Sequence, residues 1–273
     1  MQHIASEQAL QAASRELLST AATLDEGALS TLAAELASVT RLLRREVALR
    51  RTLSETTTSV DTRAGIMSRL LTGQVSDPAR HMVDVVVRQN WATGVDLRDG
   101  LNRLSRIALF LRAERTGELD EVEDELFRFG RIVDGTPELS VLLDDPTADG
   151  AARAGLVERL LDGRAHPMTV ELLMDLARDA GVRSFHAGVR ELIDQAALRS
   201  DKIVAVVHSA IELTAAEFDR LVAGLQRIYS RPMAVHVLVD PKLGGGLRVR
   251  VGDEVIDGSM AGRLADLRRR MTG

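Results

Sequence analysis

The sequence predicts a mostly α-helical protein, in which two tandem helical-bundle copies precede a small C-terminal α+β domain. Hydrophobic residues make up 45% of the 273 residues and aromatic residues only 3%, so the cores must be built from Leu, Val, Ile and Ala. One helical segment occurs twice along the chain, and the pattern changes after Ser200, where short β-branched runs indicate strands. A chain of this length suits two or three domains.

The first 112 residues have the pattern of a helical bundle. The stretch from Ser6 to Leu24 is rich in Ala and amphipathic. A second helix is predicted from an apolar stripe at spacings of three and four, formed by Leu29, Leu32, Leu36, Val39 and Leu43. Asp77 and Pro78 have the pattern of an N-cap followed by proline at the first helical position. Gly94 is predicted to end that helix, and a last helix follows from about residue 97 to 113.

The next segment repeats the first. Residues 63–73, RAGIMSRLLTG, return at 153–163 as RAGLVERLLDG, with seven of eleven positions identical. Further landmarks recur in the same order: Leu49 and Leu53 as Leu139 and Leu143, Asp77-Pro78 as His166-Pro167, Gly94-Val95 as Gly181-Val182, and Leu24-Asp25-Glu26 as Leu119-Asp120-Glu121. We therefore predict a duplicated helical domain, with copies at residues 1–112 and 113–200.

The first helix of the second copy has a continuous apolar stripe. Its members are Leu119, Val122, Leu126, Phe129 and Val133. Phe127 lies off this stripe and is either peripheral core or an anchor for a partner. The acidic run from Glu118 to Glu125 is interpreted as the solvated face of the helix.

Residues 201–273 have a different pattern, which predicts the α+β domain. The runs at 202–209 and 233–239 are short and β-branched, as is typical of strands. Between them, Thr214 and Glu217 have the spacing of a capping box, and an amphipathic helix follows as far as Tyr229. Alternating residues at 247–251, a Gly252-Asp253 turn and a short return strand predict a hairpin, and Ser259 can cap a terminal helix. Helices are expected to pack on one face of the sheet.

Composition and motifs exclude several classes of function. The net charge is −5 with both signs interspersed, unlike the basic stripe of a nucleic-acid-binding protein. The absence of cysteine excludes disulfides and thiol catalysis, and it fits a reducing cytoplasm. The six histidines show no metal-ligand spacing, and no catalytic set of side chains is evident, so we expect no catalytic residue, metal or cofactor. The N-terminus lacks signal-peptide features and no apolar run approaches ~20 residues, so no direct membrane insertion is expected.

The glycines at Gly244–Gly246 leave one enzymatic alternative open, a phosphate cradle. A P-loop requires Lys and Ser or Thr directly after its last glycine, at the start of a helix, whereas these glycines lead into a strand. Asp253, Asp257 and Ser259 could be imagined as an acid–base set, but each has a sufficient role in a turn or cap. A helical adaptor of an unrelated complex is a further alternative.

The same C-terminal stretch resembles the motif of the F-type ATP synthase delta subunit, the counterpart of the mitochondrial oligomycin-sensitivity-conferring protein. The positions that carry the resemblance are Asp240, Leu243, Gly245, Gly246, Val249, Arg250, Gly252, Asp253, Ile256, Asp257, Gly258, Ser259 and Leu264. The additional helical copy at residues 1–112 is similar to the extended, actinobacterial-type form of this family.

The resemblance implies a non-catalytic stator, or peripheral stalk, subunit of a proton-translocating ATP synthase. It implies that the helical domain binds amphipathic N-terminal helices of the alpha subunits, and that the C-terminal domain contacts a membrane-anchored b-type stalk. The expected location is peripheral, at the cytoplasmic face of the cell membrane. A groove for the alpha-subunit helices is expected along residues 119–133 and 182–198, with the candidate residues Leu126, Phe127, Phe129, Val133, Val189 and Leu192.

Overall fold

The computed structural model describes residues 3–178, 184–199, 203–252 and 254–259. The chain divides into two compact units, Met1–Glu118 and Leu119–Gly273. The fold class is the predicted one, because helices fill the first unit and a small sheet ends the second. Within the described part of the chain, every helix is too short or too polar to cross a bilayer.

The described residues of the first unit form helices and the loops between them. They are α1 (Ile4–Ala21), α2 (Glu26–Arg45), α3 (Val47–Ser54), α4 (Val60–Leu71), α5 (Asp77–Arg88) and α6 (Gly94–Thr116). The predicted apolar stripe of α2, from Leu29 to Leu43, is at most 2% exposed. It packs against α6, because burying this stripe is what stabilises an amphipathic helix of this length.

The second unit begins with five helices. They are α7 (Leu119–Gly135), α8 (Pro137–Asp144), α9 (Gly150–Leu161), α10 (Pro167–Arg178) and α11 (Phe185–Arg199). The predicted stripe of α7, from Leu119 to Val133, is at most 5% exposed, and α7 packs against α11. We name α2–α6 bundle 1 and α7–α11 bundle 2.

The two bundles repeat the same helices at one offset. The bounds of α3, α4 and α5 recur 90 positions later as those of α8, α9 and α10, the offset that separates Arg63 from Arg153. At this offset Leu119 corresponds to Leu29, so the predicted match with Leu24-Asp25-Glu26 was out of register. Gly181 and Val182, the other predicted landmark, lie outside the described residues.

Two helix starts differ from the prediction. Ser76, not Asp77, caps α5, because its hydroxyl accepts a hydrogen bond from the N–H of Ala79. Gly94 begins α6 instead of ending the preceding helix, since Thr93 caps this helix by accepting from the N–H of Asp96. A side chain at Gly94 would place its Cβ 3.0 Å from the carbonyl oxygen of Arg50, so glycine permits close packing against α3.

The C-terminal part of the second unit is a four-stranded sheet. Its strands are β1 (Ile203–Ser209), β2 (Met233–Val239), β3 (Leu247–Val251) and β4 (Glu254–Asp257), in the order β2-β1-β3-β4. β1 and β2 are parallel and joined through α12 (Ala215–Tyr229), whereas β3 pairs antiparallel with β1 and β4. The predicted capping box at Thr214 and Glu217 is present. Lys202, Leu264 and the predicted terminal helix lie outside the described residues.

The two faces of the sheet have different neighbours. Ala205 and Val207 of β1 pack with Leu225 of α12 in an apolar core. Side chains alternate along a strand, so Val204 and Val206 point to the opposite face, on the side where α11 packs against β1. The sheet therefore lies between α12 and bundle 2, which the expectation of helices on one face did not include. α6 runs across the predicted boundary at residue 112, and the boundaries at 112 and 200 stay predictions.

Candidate functional site

The glycines of the C-terminal motif allow the hairpin to close. Gly246 has φ +77° and lies so close to the start of the chain beyond β4 that an added Cβ would be 2.4 Å from the carbonyl oxygen of Gly258. The N–H of Gly258 donates to the carbonyl of Leu247 at 2.8 Å, which joins the two ends of the hairpin. Gly252, with φ +57°, forms the turn between β3 and β4. These positions require glycine for backbone reasons alone.

Asp257 organises the end of the hairpin. Its Oδ1 accepts from the hydroxyl of Ser259 at 2.6 Å and from the N–H of Ser259 at 2.9 Å, and its Oδ2 accepts from Nε of Arg248 at 3.0 Å. These hydrogen bonds, first that of the Ser259 hydroxyl, hold the pKa of Asp257 below its usual value. Ser259 is fully buried. An ionised, satisfied carboxylate of this kind is a structural group.

The other described residues of the motif also have structural roles. The N–H of Asp240 donates to the carbonyl of Ser209 at 2.7 Å, and its Oδ1 accepts from the N–H of Lys242 at 3.0 Å, which starts a 3-10 turn at Pro241–Leu243. Leu243 and Val249 are buried, whereas Ile256 is 40% exposed. Gly245 has φ +142°, and the N–H of Gly244 is used within the turn. Asp253 lies outside the described residues.

The predicted groove residues divide into two groups. Leu126, Phe129, Val133, Val189 and Leu192 are at most 3% exposed and belong to the interior of bundle 2. Phe127 is half-buried and stacks on His236 of β2, with ring centroids 3.9 Å apart and an interplanar angle of 11°. Phe127 thus contacts the sheet, which neither of the two interpretations of this residue included.

A cleft of about 660 Å³ opens beside Phe127, between α7, α11 and the second face of the sheet. Val189, Ile193 and Leu238 form its buried floor, and Val204 and Val206 are half-buried along its side. α7 and α11 approach closely at its base. A Cβ added at Gly130 would be 3.2 Å from Cγ1 of Val189. Sequence reasoning missed the cleft, since it depends on how the sheet is placed against bundle 2.

Among the described residues that line the cleft, arginines outnumber aspartates. Arg131 on α7, Arg190 on α11 and Arg250 on β3 are exposed and make no ion pair with any described residue. Asp134 and Asp194 also line the cleft, and Asp134 contacts His186. Burial raises the pKa of the Asp194 carboxyl, with Arg190 opposing and Glu191 adding to the shift.

His208 lies on the same face of the sheet, and the charges around the cleft affect its pKa. Burial lowers the pKa of His208, Asp240 opposes this, and the positive charges of Arg131, Arg248 and Arg250 lower it further. Arg248 is paired with Asp257, so Arg131 and Arg250 are the free cations among these arginines in the described chain.

A buried polar pair joins α7 to β2 next to Phe127. Oε1 of Glu123 and Nε2 of His236 are 3.5 Å apart, and their side chains are 3% and 6% exposed. Neither atom has a hydrogen-bond partner of good geometry among the described residues. Glu123 is therefore an exception to the interpretation of the acidic run as a solvated face. One signal was present in the sequence, since Glu123 directly follows Val122 and therefore lies beside the apolar stripe of the helix.

Most of the chain is similar to known proteins. A sequence model of the family described as ATP synthase delta (OSCP) subunit matches residues 107–271. The protein named ATP synthase subunit delta from Streptomyces avermitilis is 48% identical over 240 residues, 88% of both chains. Its namesake from Streptomyces coelicolor is 44% identical over 271 residues, 98% of both chains. The delta subunit of Nocardia farcinica is 42% identical over 258 residues, 94% of this chain and 96% of that one.

Proposed function

This chain belongs to the ATP synthase delta (OSCP) subunit family, a stator component of the F-type ATP synthase, and we propose that it joins the alpha subunits to a b-type stalk. The protein is a non-catalytic subunit, and the phosphate-binding enzyme and the unrelated adaptor are set aside with this family membership. In our proposal it resists the torque of the rotor during proton-driven ATP synthesis. It does so as a peripheral component at the cytoplasmic face of the cell membrane.

The observation that carries the proposal is the family match over residues 107–271. This range contains the whole of bundle 2 and the sheet, and the relatives extend the similarity to nearly the full chain. We propose that bundle 2 contacts the N-terminal helices of the alpha subunits, and that the α+β part at residues 201–273 contacts the b-type stalk. Residues 1–112 are the additional copy in this proposal.

The cleft supports the proposal that bundle 2 contacts the alpha-subunit helices. Of the proposed groove residues, the half-buried Phe127 and the buried Val189 line the cleft. The others, Leu126, Phe129, Val133 and Leu192, lie in the interior of bundle 2. Bundle 1 has alanine at the positions that correspond to Glu123 and Phe127, namely Ala33 and Ala37. The contact residues that join α7 to the sheet are therefore particular to bundle 2.

The proposal is tested by size-exclusion chromatography of the full chain mixed with the cognate catalytic head from which its own delta subunit has been removed. We expect co-elution at one chain per head. The matched control is a head from which the alpha-subunit N-terminal helices have also been removed, which should not retain the chain. Absence of co-elution with the intact head would contradict the proposed attachment.

A further inference from the structure

Bundle 1 carries a basic surface, residues 41–51, where α2 meets α3. This segment, RLLRREVALRR, contains five arginines and one glutamate, in a chain whose net charge is −5. α2 ends at Arg45 and α3 begins at Val47, so Glu46 alone joins the two helices. The corresponding residues of bundle 2, 131–141, are RIVDGTPELSV, with one arginine, one aspartate and one glutamate. The excess of positive charge is therefore a property of bundle 1 and not of bundle 2.

One arginine of the basic surface, Arg50, has a structural role. Its Nη1 donates to the carbonyl of Leu43 at 3.0 Å and to that of Arg44 at 3.4 Å. These carbonyls belong to the last turn of α2, where a helix has no N–H of its own left to pair with them. The guanidinium charge also interacts favourably with this end of the helix dipole. Stability of the corner therefore accounts for Arg50.

Arg45 and Arg51 have no such role. Both are exposed, and neither makes an ion pair with any described residue. They lie in the last turns of α2 and α3, where a cation interacts favourably with the helix dipole. The framework does not require them there, because α7 and α8 have no basic residue in their last turns. Val47, which lies between them in the sequence, is 59% exposed.

The acidic side chains of this region do not neutralise the basic surface. Glu35, the preceding acidic residue of α2, accepts hydrogen bonds from Ser76. Glu46 and Glu55 are exposed and make no ion pair within the described chain. A flat anionic membrane would meet these two carboxylates together with the net negative charge of the chain, whereas a short acidic segment can contact the arginines alone.

From these observations we propose that the basic surface of bundle 1 binds an acidic segment of a neighbouring protein. Carboxylates of the segment pair with Arg45 and Arg51, because guanidinium groups bind carboxylates bidentately. An apolar side chain of the segment packs on Val47. Exposed ion pairs are individually weak and are screened by salt, so binding is modest and falls as salt is added. The additional helical copy thus has a contact of its own, separate from those proposed for bundle 2 and the sheet.

The test uses the full chain and two short, fluorescently labelled peptides. One peptide carries Glu and Asp around a single Leu, and the other has Gln and Asn in place of the acidic residues. Fluorescence anisotropy at low salt is measured for the natural chain, for Arg45→Glu/Arg51→Glu and for Arg69→Glu/Arg159→Glu. Arg69 and Arg159 are exposed arginines in the last turns of α4 and α9, so this control matches the change in net charge and the loss of helix-end cations.

We expect the acidic peptide to bind the natural chain about 10-fold more tightly than the amide peptide, the gain from two exposed ion pairs. Arg45→Glu/Arg51→Glu should lose this preference, Arg69→Glu/Arg159→Glu should retain it, and added salt should reduce it. The neutral variant Arg45→Gln/Arg51→Gln decides the result if melting curves show that the Glu variant is unfolded.

Equal binding of both peptides, binding of neither, or an equal loss in the control variant would overturn the inference. Vesicles that contain anionic phosphatidylglycerol provide the second probe. Binding of the natural chain to these vesicles in place of the acidic peptide would assign the basic surface to lipid and would also overturn the inference.

Discussion

Bundle 1 and bundle 2 share one framework but differ in what they attach. In each bundle a glutamate at the same place binds the start of a helix 41 residues later: Glu35 accepts from the N–H and hydroxyl of Ser76, and Glu125 accepts from the N–H of His166. In both bundles a buried arginine, Arg63 or Arg153, donates to backbone carbonyls at helix ends and in loops. The differences lie beside the apolar stripe of the first helix, where bundle 2 has Glu123 and Phe127 in place of Ala33 and Ala37.

This contrast shows how a duplicated bundle can gain a new neighbour without a change in its framework. The interior of α7 keeps the apolar stripe of α2, so the bundle still folds around the same core. The substitutions that attach the sheet lie beside this stripe and leave its spacing intact. Stability and attachment are therefore separable properties in bundle 2, and the following substitutions test that separation.

The largest expected effect comes from the shared buried arginine. Arg153 donates to the carbonyls of Ala177, Asp145 and Ala148, and Arg63 donates to those of Leu53 and Gln89. We expect Arg153→Met to cost about 3–4 kcal/mol of unfolding free energy and Arg63→Met about 2–3 kcal/mol, because buried carbonyls lose charged donors. Denaturant unfolding of the full chain measures both.

The matched control for the arginine variants is Arg159→Met, whose side chain is exposed, and we expect a change within about 0.5 kcal/mol. Equal, small effects of all three substitutions would show that the buried arginines do not hold the framework of either bundle.

The next largest loss of stability is expected in the hairpin. The described residues of bundle 1 contain no counterpart of this hairpin. Gly246→Ala should cost about 3 kcal/mol, because φ +77° is unfavourable for alanine and its Cβ would be 2.4 Å from a backbone oxygen. Gly224→Ala, in α12 with open space around it, should instead stabilise by about 0.5–1 kcal/mol. Thermal unfolding separates the two, and a stabilising Gly246→Ala would contradict the packing of the hairpin.

A smaller loss of stability is expected when the two residues of α7 that contact the sheet are replaced by the alanines found at the same positions of α2. The variant Glu123→Ala/Phe127→Ala removes the ring stack on His236 and the buried carboxylate beside it. We expect a loss of about 2 kcal/mol, confined to the attachment of the sheet. Hydrogen exchange should therefore increase in β2 and remain unchanged in α9.

The buried pair itself gives a companion test of that attachment. Replacement of both partners by apolar residues, in Glu123→Leu/His236→Phe, should be close to neutral, whereas His236→Ala alone leaves Glu123 buried without its neighbour and should cost about 2 kcal/mol. A double variant less stable than His236→Ala would mean that the polar contact between Glu123 and His236, and not the packing, holds the sheet on α7.

The smallest effect is a pH dependence of opposite sign at two aspartates. Burial raises the pKa of Asp194, so its ionised form opposes folding at pH 7, and Asp194→Asn should raise the melting temperature there. This gain should vanish as the pH falls below about 3.9, where the aspartate is protonated in both states.

Hydrogen bonds from Ser259 and Arg248 lower the pKa of Asp257, so Asp257→Asn should destabilise above that pH, and the loss should fade as the pH drops. Parallel pH series of melting curves decide both signs.

Much of this fold could be predicted from local patterns. The stripes of α2 and α7, both strands of the parallel pair and the capping box at Thr214 are properties of a few neighbouring residues. The helix starts at Ser76 and Gly94 were misassigned because Asp and Gly are compatible with several roles near a helix end.

The candidate site could be predicted only in part. Leu126, Phe129 and Leu192 were proposed for a groove because an apolar stripe has the same spacing whether it faces the interior or a partner. Phe127 was singled out because it lies off the stripe, and it does line the cleft. The arginines around the cleft come from α7, α11 and β3, so no sequence pattern brings them together before the sheet is placed.

The central claim, that bundle 2 holds the helices of the catalytic head, is tested most directly by hydrogen–deuterium exchange of the full chain, free and bound to the head. Our account predicts new protection along α7 and α11, around Phe127 and Val189, with α2 and α4 unchanged. Protection confined to α2 and α4, with α7 and α11 exchanging as in the free chain, would assign the attachment to bundle 1 and contradict the account.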